Sequence, residues 1–491
     1  MRGDIRLNSL YRRLVDFLQG ACPDAEMYVV GGTVRDILMG RALKDVDVAI
    51  SADPVTVARA FAAEVRGSFV WLHERIPTAR VVKGWATPGV KGDATVDFTT
   101  LRGGCLKTDL LSRDFTINAL AMPLDALSDN TPNLVARIVD VTGGIDDLRG
   151  GVIRMVNREN LIDDPLRLLR AYRFSAQLGF RIEPDTLNTI TELKTLIHRA
   201  AVERIWSELK AILATANSTA AIASMTDNAL LFELIPELHA TKAVTQNRHH
   251  NLDVLQHTMA AYEAAEAEIN DLDGRGLPYP ERFRQYLHCP PTTMAILKLA
   301  VLLHDIGKPA TRAVADDGQV TFYDHSRVGA EMTRDILLRF KASQREVELT
   351  SKLVLNHQIS SLQSLGMRLN PTFSPEITGN KRVMVRLLNK VSTEIYALII
   401  IALADTQAKT LSYRDEIIQM AQHILRFYHE QYMPRAQAPR FITGHDLIEG
   451  FGLRPSPEFR LILEHINDKA LEGTINSRQE ALSAVRAYLQ K

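Results

Sequence analysis

The sequence predicts an α+β fold in which a small mixed sheet near the N-terminus is followed by an almost entirely helical remainder. Residues up to about 150 mix short β-branched segments with helical ones, whereas the apolar spacing after about residue 151 is helical nearly to the end. At 491 residues the chain is too long for one ordinary domain. Its hydrophobic content of 46% is that of a globular protein with an ample core.

The composition limits the kinds of protein that this chain can be. The formal net charge is zero, so no bulk basic signature indicates nucleic acid, although Lys and Arg can still segregate to one face. Three widely spaced cysteines predict a reducing, cytoplasmic location without a disulfide framework. The segment MRGDIRLNSLYRRLVDFL predicts an amphipathic helix rather than a signal peptide. The most apolar run, residues 395–404, is too short to span a bilayer, so we expect a buried helix and no membrane contact.

The first chemical signal is YVVGGTVRDILMGRALKDVDVAI, residues 28–50, which predicts a strand, a Gly-Gly turn, a short helix and a second strand. On that second strand Asp45 and Asp47 point to one side while Val46 and Val48 enter the core. Two carboxylates so close together repel each other unless a cation lies between them. Hard oxygen ligands of this kind suit Mg²⁺ that is shared with substrate phosphates.

The turn before this strand has the features of a phosphate site. Gly31 and Gly32 let a backbone approach a phosphate closely, and the following helix offers its N-terminal N–H groups. Arg35 adds a fixed positive charge nearby. A third carboxylate, Asp97, lies on the predicted strand ATVDFTTL, and with it two Mg²⁺ about 3.5–4 Å apart could be held. We therefore predict a metal and triphosphate site.

The joint spacing GG-x-VRD-x8-D-x-D resembles the nucleotidyltransferase head of class II tRNA CCA-adding enzymes and bacterial poly(A) polymerases. The resemblance implies a polymerase-β-like head that uses Mg²⁺, with Asp45, Asp47 and Asp97 as its catalytic carboxylates. The segment DLLSRDFTINALAM is similar to the RRDFTINA motif of that family, with Ser where the first Arg usually stands. This similarity implies that Arg113 and Asn118 contact the phosphates and sugar of the incoming nucleotide.

A third match, DDPLRLLRAYRFSAQLGF, covers residues 163–180. Asp164 and Arg167 are expected at i and i+3 on one helix, where both could face a ligand. A carboxylate accepts from the exocyclic amino group of cytosine or adenine, and a guanidinium donates to the ring acceptor beside it. The resemblance therefore implies base selection by this pair, and the alternative is an ordinary helix salt bridge. Arg170 and Arg173 are expected to contact phosphate or support the nucleotide pocket.

The second half of the chain carries a different constellation of histidines and carboxylates, each on or beside an apolar helix. Its members are His257, His304, Asp305, His325, His357 and Asp405. The set resembles that of the HD phosphohydrolase superfamily, whose helical bundle holds one or two divalent metals. Mixed imidazole and carboxylate ligands suit Mn, Ni, Co, Fe or Zn, and a water bound to such a metal could attack a phosphoester. Some relatives keep this domain only as a scaffold.

The resemblance runs from about residue 28 to the C-terminus and implies four parts. They are a nucleotidyltransferase head (1–150), a helical neck for nucleotide selection and RNA binding (151–240), an HD helical bundle (241–430) and a helical tail (431–491). We also expect a loop over residues 271–283 and a linker over residues 432–441.

The implied function is that of a tRNA 3′-terminal nucleotidyltransferase that adds C, with or without A, from CTP and ATP, and whose partner is tRNA. The alternatives are a poly(A) polymerase and an HD phosphohydrolase with a nucleotide-sensing head. In relatives that build complete CCA, a flexible segment precedes the RDFTINA motif. Here only Gly103 to Thr108 lie there, six residues that span at most about 20 Å. This shortening resembles CC-adding enzymes, unless loop length simply varies.

Overall fold

The computed structural model describes residues 9–43, 45–73, 77–84, 93–127, 134–245, 252–274, 276–290, 293–316, 318–360, 381–409 and 414–490. The chain divides into two compact units. The first comprises residues 1–204 and 228–230, and the second comprises residues 205–227 and 231–491.

A seven-stranded mixed sheet lies at the centre of the first unit. Its strands are β1 Met27–Val30, β2 Asp45–Ile50, β3 Ser68–His73, β4 Thr78–Gly84, β5 Asp93–Thr100, β6 Leu120–Pro123 and β7 Val139–Asp140. In space they follow the order β3-β4-β5-β2-β1-β6-β7. Strands β2 and β5 pair in parallel, and the other neighbouring pairs are antiparallel. The predicted mixed sheet is therefore confirmed.

The alternation of apolar and polar residues fixes which face of this sheet is buried. Val46, Val48 and Phe98 are fully buried, so the residues between them face the other side of the sheet. Phe61, from a helix that begins at Pro54, packs against Phe98 with ring centroids 5.8 Å apart. Burial of these side chains holds the two parallel strands in one register.

The helices of the first unit are α1 Ser9–Ala21, α2 Gly32–Leu38, α3 Pro54–Val65, α4 Leu106–Leu111, α5 Gly144–Gly150, α6 Arg158–Asp163, α7 Leu166–Leu178 and α8 Pro184–Leu193. Two short strands, β8 Val152–Ile153 and β9 Arg181–Ile182, pair in parallel beside them. The expectation that Asp164 and Arg167 share a helix is wrong. Helix α6 ends at Asp163 and α7 begins at Leu166, because Pro165 has no N–H and disfavours helical backbone before it.

The second unit is helical. Its helices are α9 Val202–Leu213, which begins at the boundary, α10 Thr219–Asp227, α11 Leu230–Leu234, α12 Val254–Asn270, α13 Pro280–His288, α14 Thr293–Leu303, α15 Lys308–Thr311, α16 His325–Arg339, α17 Gln344–Leu355, α18 Lys381–Val391, α19 Ile395–Gln407, α20 Arg414–Phe427, α21 Met433–Gln437, α22 Gly444–Phe451, α23 Pro457–Leu471 and α24 Arg478–Leu489. A hairpin of β10 Ala313–Val314 and β11 Val320–Thr321 interrupts them.

Local sequence sets several of these helix boundaries. Asp253 begins α12 with a capping box, since its side chain accepts from the Gln256 N–H at 2.8 Å and the Gln256 side chain accepts from the Asp253 N–H at 3.2 Å. The linker expected at residues 432–441 is wrong in its first part, where a π-helix (Tyr428–Tyr432) leads directly into α21. The loop expected at residues 271–283 is wrong in its last part, because α13 begins at Pro280.

The apolar run at residues 395–404 lies within α19, and every residue of it is buried, as predicted. The helical stretch Lys381–Gln407 is long and apolar enough, by length and composition alone, to cross a membrane, and 67% of its apolar window is buried inside the protein. Such burial is typical of the core helix of a globular protein.

Candidate active site and metal centre

The parallel pairing of β2 and β5 brings the predicted carboxylates of the head together. Asp47 lies directly opposite Asp97 in the register, so their side chains emerge from the same face on strands about 4.8 Å apart. Asp45 lies opposite Thr95, whose hydroxyl donates to Asp45 Oδ1 at 2.5 Å. Asp45 is exposed, whereas Asp47 and Asp97 are half-buried. The three carboxylates therefore lie together on one face of the sheet, on its inner strands β2 and β5.

The electrostatics around these three carboxylates favour a bound cation. Burial, and next the charge of Asp97, raises the pKa of Asp47 to about 6. Arg80 on β4 binds Asp97 through two charge-assisted hydrogen bonds, both 2.7 Å long. The Asp47 N–H donates to Thr33 Oγ1 at 2.9 Å, which fixes the strand to the start of α2. Clustered hard oxygen donors with one carboxylate resisting ionisation fit Mg²⁺.

The side chain of an arginine packs against the Gly-Gly turn. Gly31 has φ +69°, and a Cβ there would lie 2.7 Å from Arg113 Nη1 and 3.6 Å from Asp47 Oδ2. Arg113 is held by Asp109, which accepts from its Nε and Nη2 at 3.0 and 2.8 Å. Gly31 therefore leaves the space that lets the Arg113 guanidinium lie beside the carboxylates.

A buried carboxylate joins the other motif residues of the head. Asp114 accepts from Arg170 at 2.8 Å and from the Asn118 amide at 3.1 Å, and Asn118 Oδ1 accepts from Arg35 Nη1 at 2.7 Å. Burial alone would raise the pKa of Asp114, but the Arg170 charge and the Asn118 hydrogen bond outweigh it and hold the pKa at about 2. Arg35, Asn118 and Arg170 thus form one hydrogen-bonded network around the ionised Asp114.

A cavity of about 320 Å³ in the first unit is lined by some of these residues, but not by Asp45, Arg35 or Asn118. Acidic and basic side chains dominate its lining, which includes Asp47, Asp97, Asp109, Asp114, Asp164, Arg102, Arg113, Arg167, Arg170 and Arg204. Asp97, Asp164 and Arg167 therefore face one space although they come from distant parts of the sequence. A cavity of this size with convergent charges can accommodate a small anionic ligand.

The predicted base-selecting pair does not form the alternative salt bridge. Asp164 pairs with Arg204 at 3.1 Å, and Arg167 Nη1 donates to the carbonyl of Asn160 at 3.1 Å. Burial lowers the pKa of Arg167 from its ordinary value, yet the group stays charged at neutral pH. Arg173 does not line the cavity, and its guanidinium lies 4.3 Å from the centroid of the Phe174 ring.

The six residues predicted to form a metal site in the second unit do come together. They form two groups whose ligand atoms lie within 4.8 Å of one another, His257 with His304 and Asp405, and Asp305 with His325 and His357. All six are buried. Contacts to Asp305 Oδ2 from His304 Nε2 at 3.2 Å and from His257 Nε2 at 3.6 Å join the groups into one cluster.

Hydrogen bonds to the backbone orient three histidines of this cluster for metal binding. The Nδ1 atoms of His304, His325 and His357 each lie 2.7 Å from a backbone carbonyl, which can only accept, so the Nε2 lone pairs point inward. Burial lowers the pKa of His357 to about 3, which keeps its imidazole neutral. Buried His304 Nε2, although 3.2 Å from Asp305 Oδ2, forms no hydrogen bond of good geometry in the described part of the chain. Mixed nitrogen and oxygen donors in this state fit a divalent transition metal.

Several residues of both sites escaped the sequence analysis. In the head these are Arg80, Asp109 and Asp114, which belong to the sites only through tertiary contacts. In the second unit the residue is Lys409, whose Nζ lies 2.6 Å from Asp405 Oδ2. Lys308, a possible phosphate contact from its place in the sequence, lies at the same distance from Asp305 Oδ2. The spacing of Lys409, four residues after a predicted ligand, is the signal that could have identified it.

Family profiles match three stretches of the chain. A Poly A polymerase head domain matches residues 27–154, a probable RNA and SrmB-binding site of polymerase A matches residues 179–242, and an HD domain matches residues 254–406. The first of these covers the sheet with its carboxylates, and the third covers all six residues of the metal cluster.

The similar proteins share one activity in their names. An A-adding tRNA nucleotidyltransferase of Deinococcus radiodurans is 31% identical over 474 residues, which cover 94% of each chain. A CC-adding tRNA nucleotidyltransferase of Synechocystis sp. is 28% identical over 470 residues, 94% of this chain and 92% of the relative. The fold resembles that of a CCA-adding enzyme solved with CTP, with a TM-score of 0.62, 22% identity and coverage of 99% and 96% of the two chains.

Proposed function

The chain belongs to the tRNA nucleotidyltransferase family, and we propose that within it this enzyme adds cytidylate to the 3′ end of tRNA from CTP, in the cytoplasm. Both relatives are named for nucleotide addition to tRNA, which favours tRNA over the poly(A) polymerase alternative, and the CC-adding relative supports cytidylate. The observation that carries the proposal is the single cavity in which Asp47 and Asp97 face Asp164 and Arg167.

The cluster of Asp45, Asp47 and Asp97 is suited to nucleotidyl transfer. The terminal hydroxyl of the tRNA attacks the α-phosphorus of CTP, the bond to the bridging oxygen breaks, and pyrophosphate leaves. Asp45, Asp47 and Asp97 would hold Mg²⁺, which supplies activation of the hydroxyl and neutralises developing charge. Arg113, fixed by Asp109 beside Asp47, is placed to bind the triphosphate.

Base selection follows from the two residues that line the same cavity without pairing with each other. The Asp164 carboxylate accepts from the exocyclic amino group of cytosine, and Arg167 donates to the ring acceptor beside it. Arg204 and the Asn160 carbonyl hold the two side chains in place. Uracil presents the opposite pattern on that edge, and each good pair discriminates by roughly 1–3 kcal/mol.

The short connection before the RDFTINA motif favours addition that ends after CC. A single turn at Arg102–Gly104 leads directly into α4, which begins at Leu106. The Arg102 guanidinium lies 3.9 Å from the buried Asp109 carboxylate, which ties this connection to the site. No long segment remains there to reshape the pocket from C to A.

A tRNA substrate that ends at the discriminator base tests this proposal. With CTP and ATP both present, we expect products that stop two nucleotides longer, resolved on a sequencing gel, and no product with Asp47→Ala. Efficient conversion to CCA would contradict the CC assignment, and absence of any extension by the wild type would contradict nucleotidyl transfer itself.

For the second unit we propose phosphoester hydrolysis at the histidine and aspartate cluster. The fit of its donors to a transition metal supports this second activity, and Lys308 and Lys409 would contact phosphate oxygens. A purification without chelators, followed by metal analysis and assays on phosphomonoesters and cyclic phosphodiesters, tests it. A protein that carries no metal and hydrolyses neither class would favour a scaffold role.

A further inference from the structure

The second unit contains another cavity, of about 700 Å³, that none of the site residues described above lines. Its walls come from α13, α17, the start of α19 and the π-helix Tyr428–Tyr432 with α21. Both α13 and α17 present residues spaced three or four apart, so each turns one face toward the cavity. The cavity is therefore built by four separate elements of the fold.

The mouth of this cavity is basic. Arg282 and Arg345 are exposed, and neither forms an ion pair with any residue that the structure describes. By contrast, Lys352 pairs with Glu394 at 2.9 Å. Glu348 accepts a hydrogen bond from the side-chain amide of Gln344 at 2.7 Å. Two guanidinium groups at the rim of one cavity are suited to a phosphate, which they can bind through paired hydrogen bonds.

The floor of the cavity is aromatic. Tyr286 and Tyr396 have ring centroids 5.7 Å apart, and Tyr428 and His429 have centroids 5.1 Å apart. Tyr396 and Tyr428 are almost completely buried. Tyr286 and His429 are only partly buried, so their rings offer faces and edges against which a planar ring can stack.

One polar atom in this floor lacks a partner. The Tyr286 hydroxyl is buried, and the described residues give it no hydrogen bond, whereas the Tyr396 hydroxyl lies 2.9 Å from His429 Nε2. Burial raises the pKa of Tyr286, so its hydroxyl stays a neutral donor. Because a buried tyrosine hydroxyl normally has a hydrogen-bond partner, this one indicates a polar ligand atom in the cavity.

The π-helix is the second unusual feature of the wall. Its wider turn places Tyr428 and His429, which are adjacent in sequence, with Met433 around the same space. Such segments are rare and occur frequently at functional sites.

We propose that this cavity binds a nucleotide, with the base against Tyr286 and His429 and the phosphate at Arg282 and Arg345. Inorganic phosphate would leave the aromatic floor and the Tyr286 hydroxyl unused, and an apolar ligand would leave both guanidinium groups unused. The volume lies within the range of small-ligand sites. A free nucleotide and a nucleotide of bound RNA share this chemistry.

Binding stoichiometry tests the proposal on the full chain. Equilibrium dialysis with radiolabelled CTP and ATP measures the moles of nucleotide bound per mole of protein. The double variant Arg282→Glu, Arg345→Glu should bind one mole less than the wild type. The matched control is Arg334→Glu, an exposed arginine of α16 outside the cavity, which should bind as the wild type does. Tyr286→Phe, which removes only the hydroxyl, should weaken this site by about threefold to tenfold.

A second arm identifies the source of the nucleotide. If free nucleotide binding is the same in all variants, the double variant should instead lose tRNA affinity by at least about tenfold relative to Arg334→Glu. Ultraviolet cross-linking should then place an RNA adduct on the peptide that contains Tyr286. Unchanged stoichiometry together with unchanged tRNA affinity would overturn the proposal. Loss of nucleotide binding at the head would lower every variant equally, so the two failures are distinguishable.

Discussion

Replacing Asp47 by Asn should abolish nucleotide addition and yet stabilise the metal-free protein. Burial and the neighbouring Asp97 raise the pKa of Asp47 from 3.8 to about 6, so ionising it costs more in the folded state than in the unfolded one. Above pH 6 Asp47 is ionised in both states, and the native state bears this cost in full. Below pH 3.8 it is protonated in both, and the cost vanishes. Asn imitates the protonated carboxyl at every pH.

The expected magnitude follows from that displacement. At about 1.36 kcal/mol per pKa unit, the gain at pH 8 has an upper limit of about 3 kcal/mol. Since Asp47 is only half-buried, solvent screening reduces it to about 1–2 kcal/mol. For a unit of about 200 residues, each kcal/mol moves the melting temperature by about 2–4 °C.

Thermal unfolding of Asp47→Asn and wild type in a chelator, at pH 8 and at pH 4.5, measures this difference. The gain should be present at pH 8, shrink at pH 4.5, and be absent from Asp45→Asn, whose side chain is exposed. Mg²⁺ should stabilise the wild type and not Asp47→Asn. A variant less stable than the wild type at pH 8 would refute the argument that these carboxylates are held against their own repulsion.

Three further substitutions test other parts of the sites. Arg167→Ala should lower the preference for CTP over UTP, by an amount up to about 1–3 kcal/mol in the ratio of kcat/KM values, and a slower enzyme with unchanged preference would make Arg167 purely structural. Gly31→Ala should reduce addition by at least about tenfold, because its methyl group would displace the Arg113 guanidinium, while circular dichroism shows an intact fold. Asp305→Ala should remove bound transition metal and any phosphohydrolase activity, yet leave tRNA extension at the wild-type rate; retained metal would exclude Asp305 as a ligand.

The parts of the fold that local sequence determines could be predicted. The alternation of Val46, Asp47 and Val48 indicated a half-buried strand. The apolar helical context of the histidines and aspartates, with their resemblance to the HD superfamily, identified a cluster that tertiary packing does assemble. The family resemblance then indicated Asp97 as the partner of the Asp-x-Asp pair, and the parallel register places it opposite Asp47.

What failed was decided by backbone detail or by distant contacts. Spacing alone placed Asp164 on the helix of Arg167. Pro165 interrupts that helix, and Asp164 forms an ion pair with Arg204 instead. Arg80 could not be identified because only the antiparallel pairing of β4 with β5 brings it to Asp97. The composition of residues 432–441 suggested a linker. Instead, the rings of Tyr428 and Tyr432 are buried, and the π-helix that contains them continues into α21.

The parallel pairing of β2 with β5 also has a consequence for synthesis. Asp47 and Asp97 become neighbours only after the intervening β3 and β4 have been made and folded back, and such non-local pairing forms late in folding. A chain that has left the ribosome only as far as β2 carries the Gly-Gly turn and both aspartates of its second strand, but no complete site. A head that is still being synthesised or is misfolded should therefore neither bind Mg²⁺ at these carboxylates nor add nucleotides to tRNA.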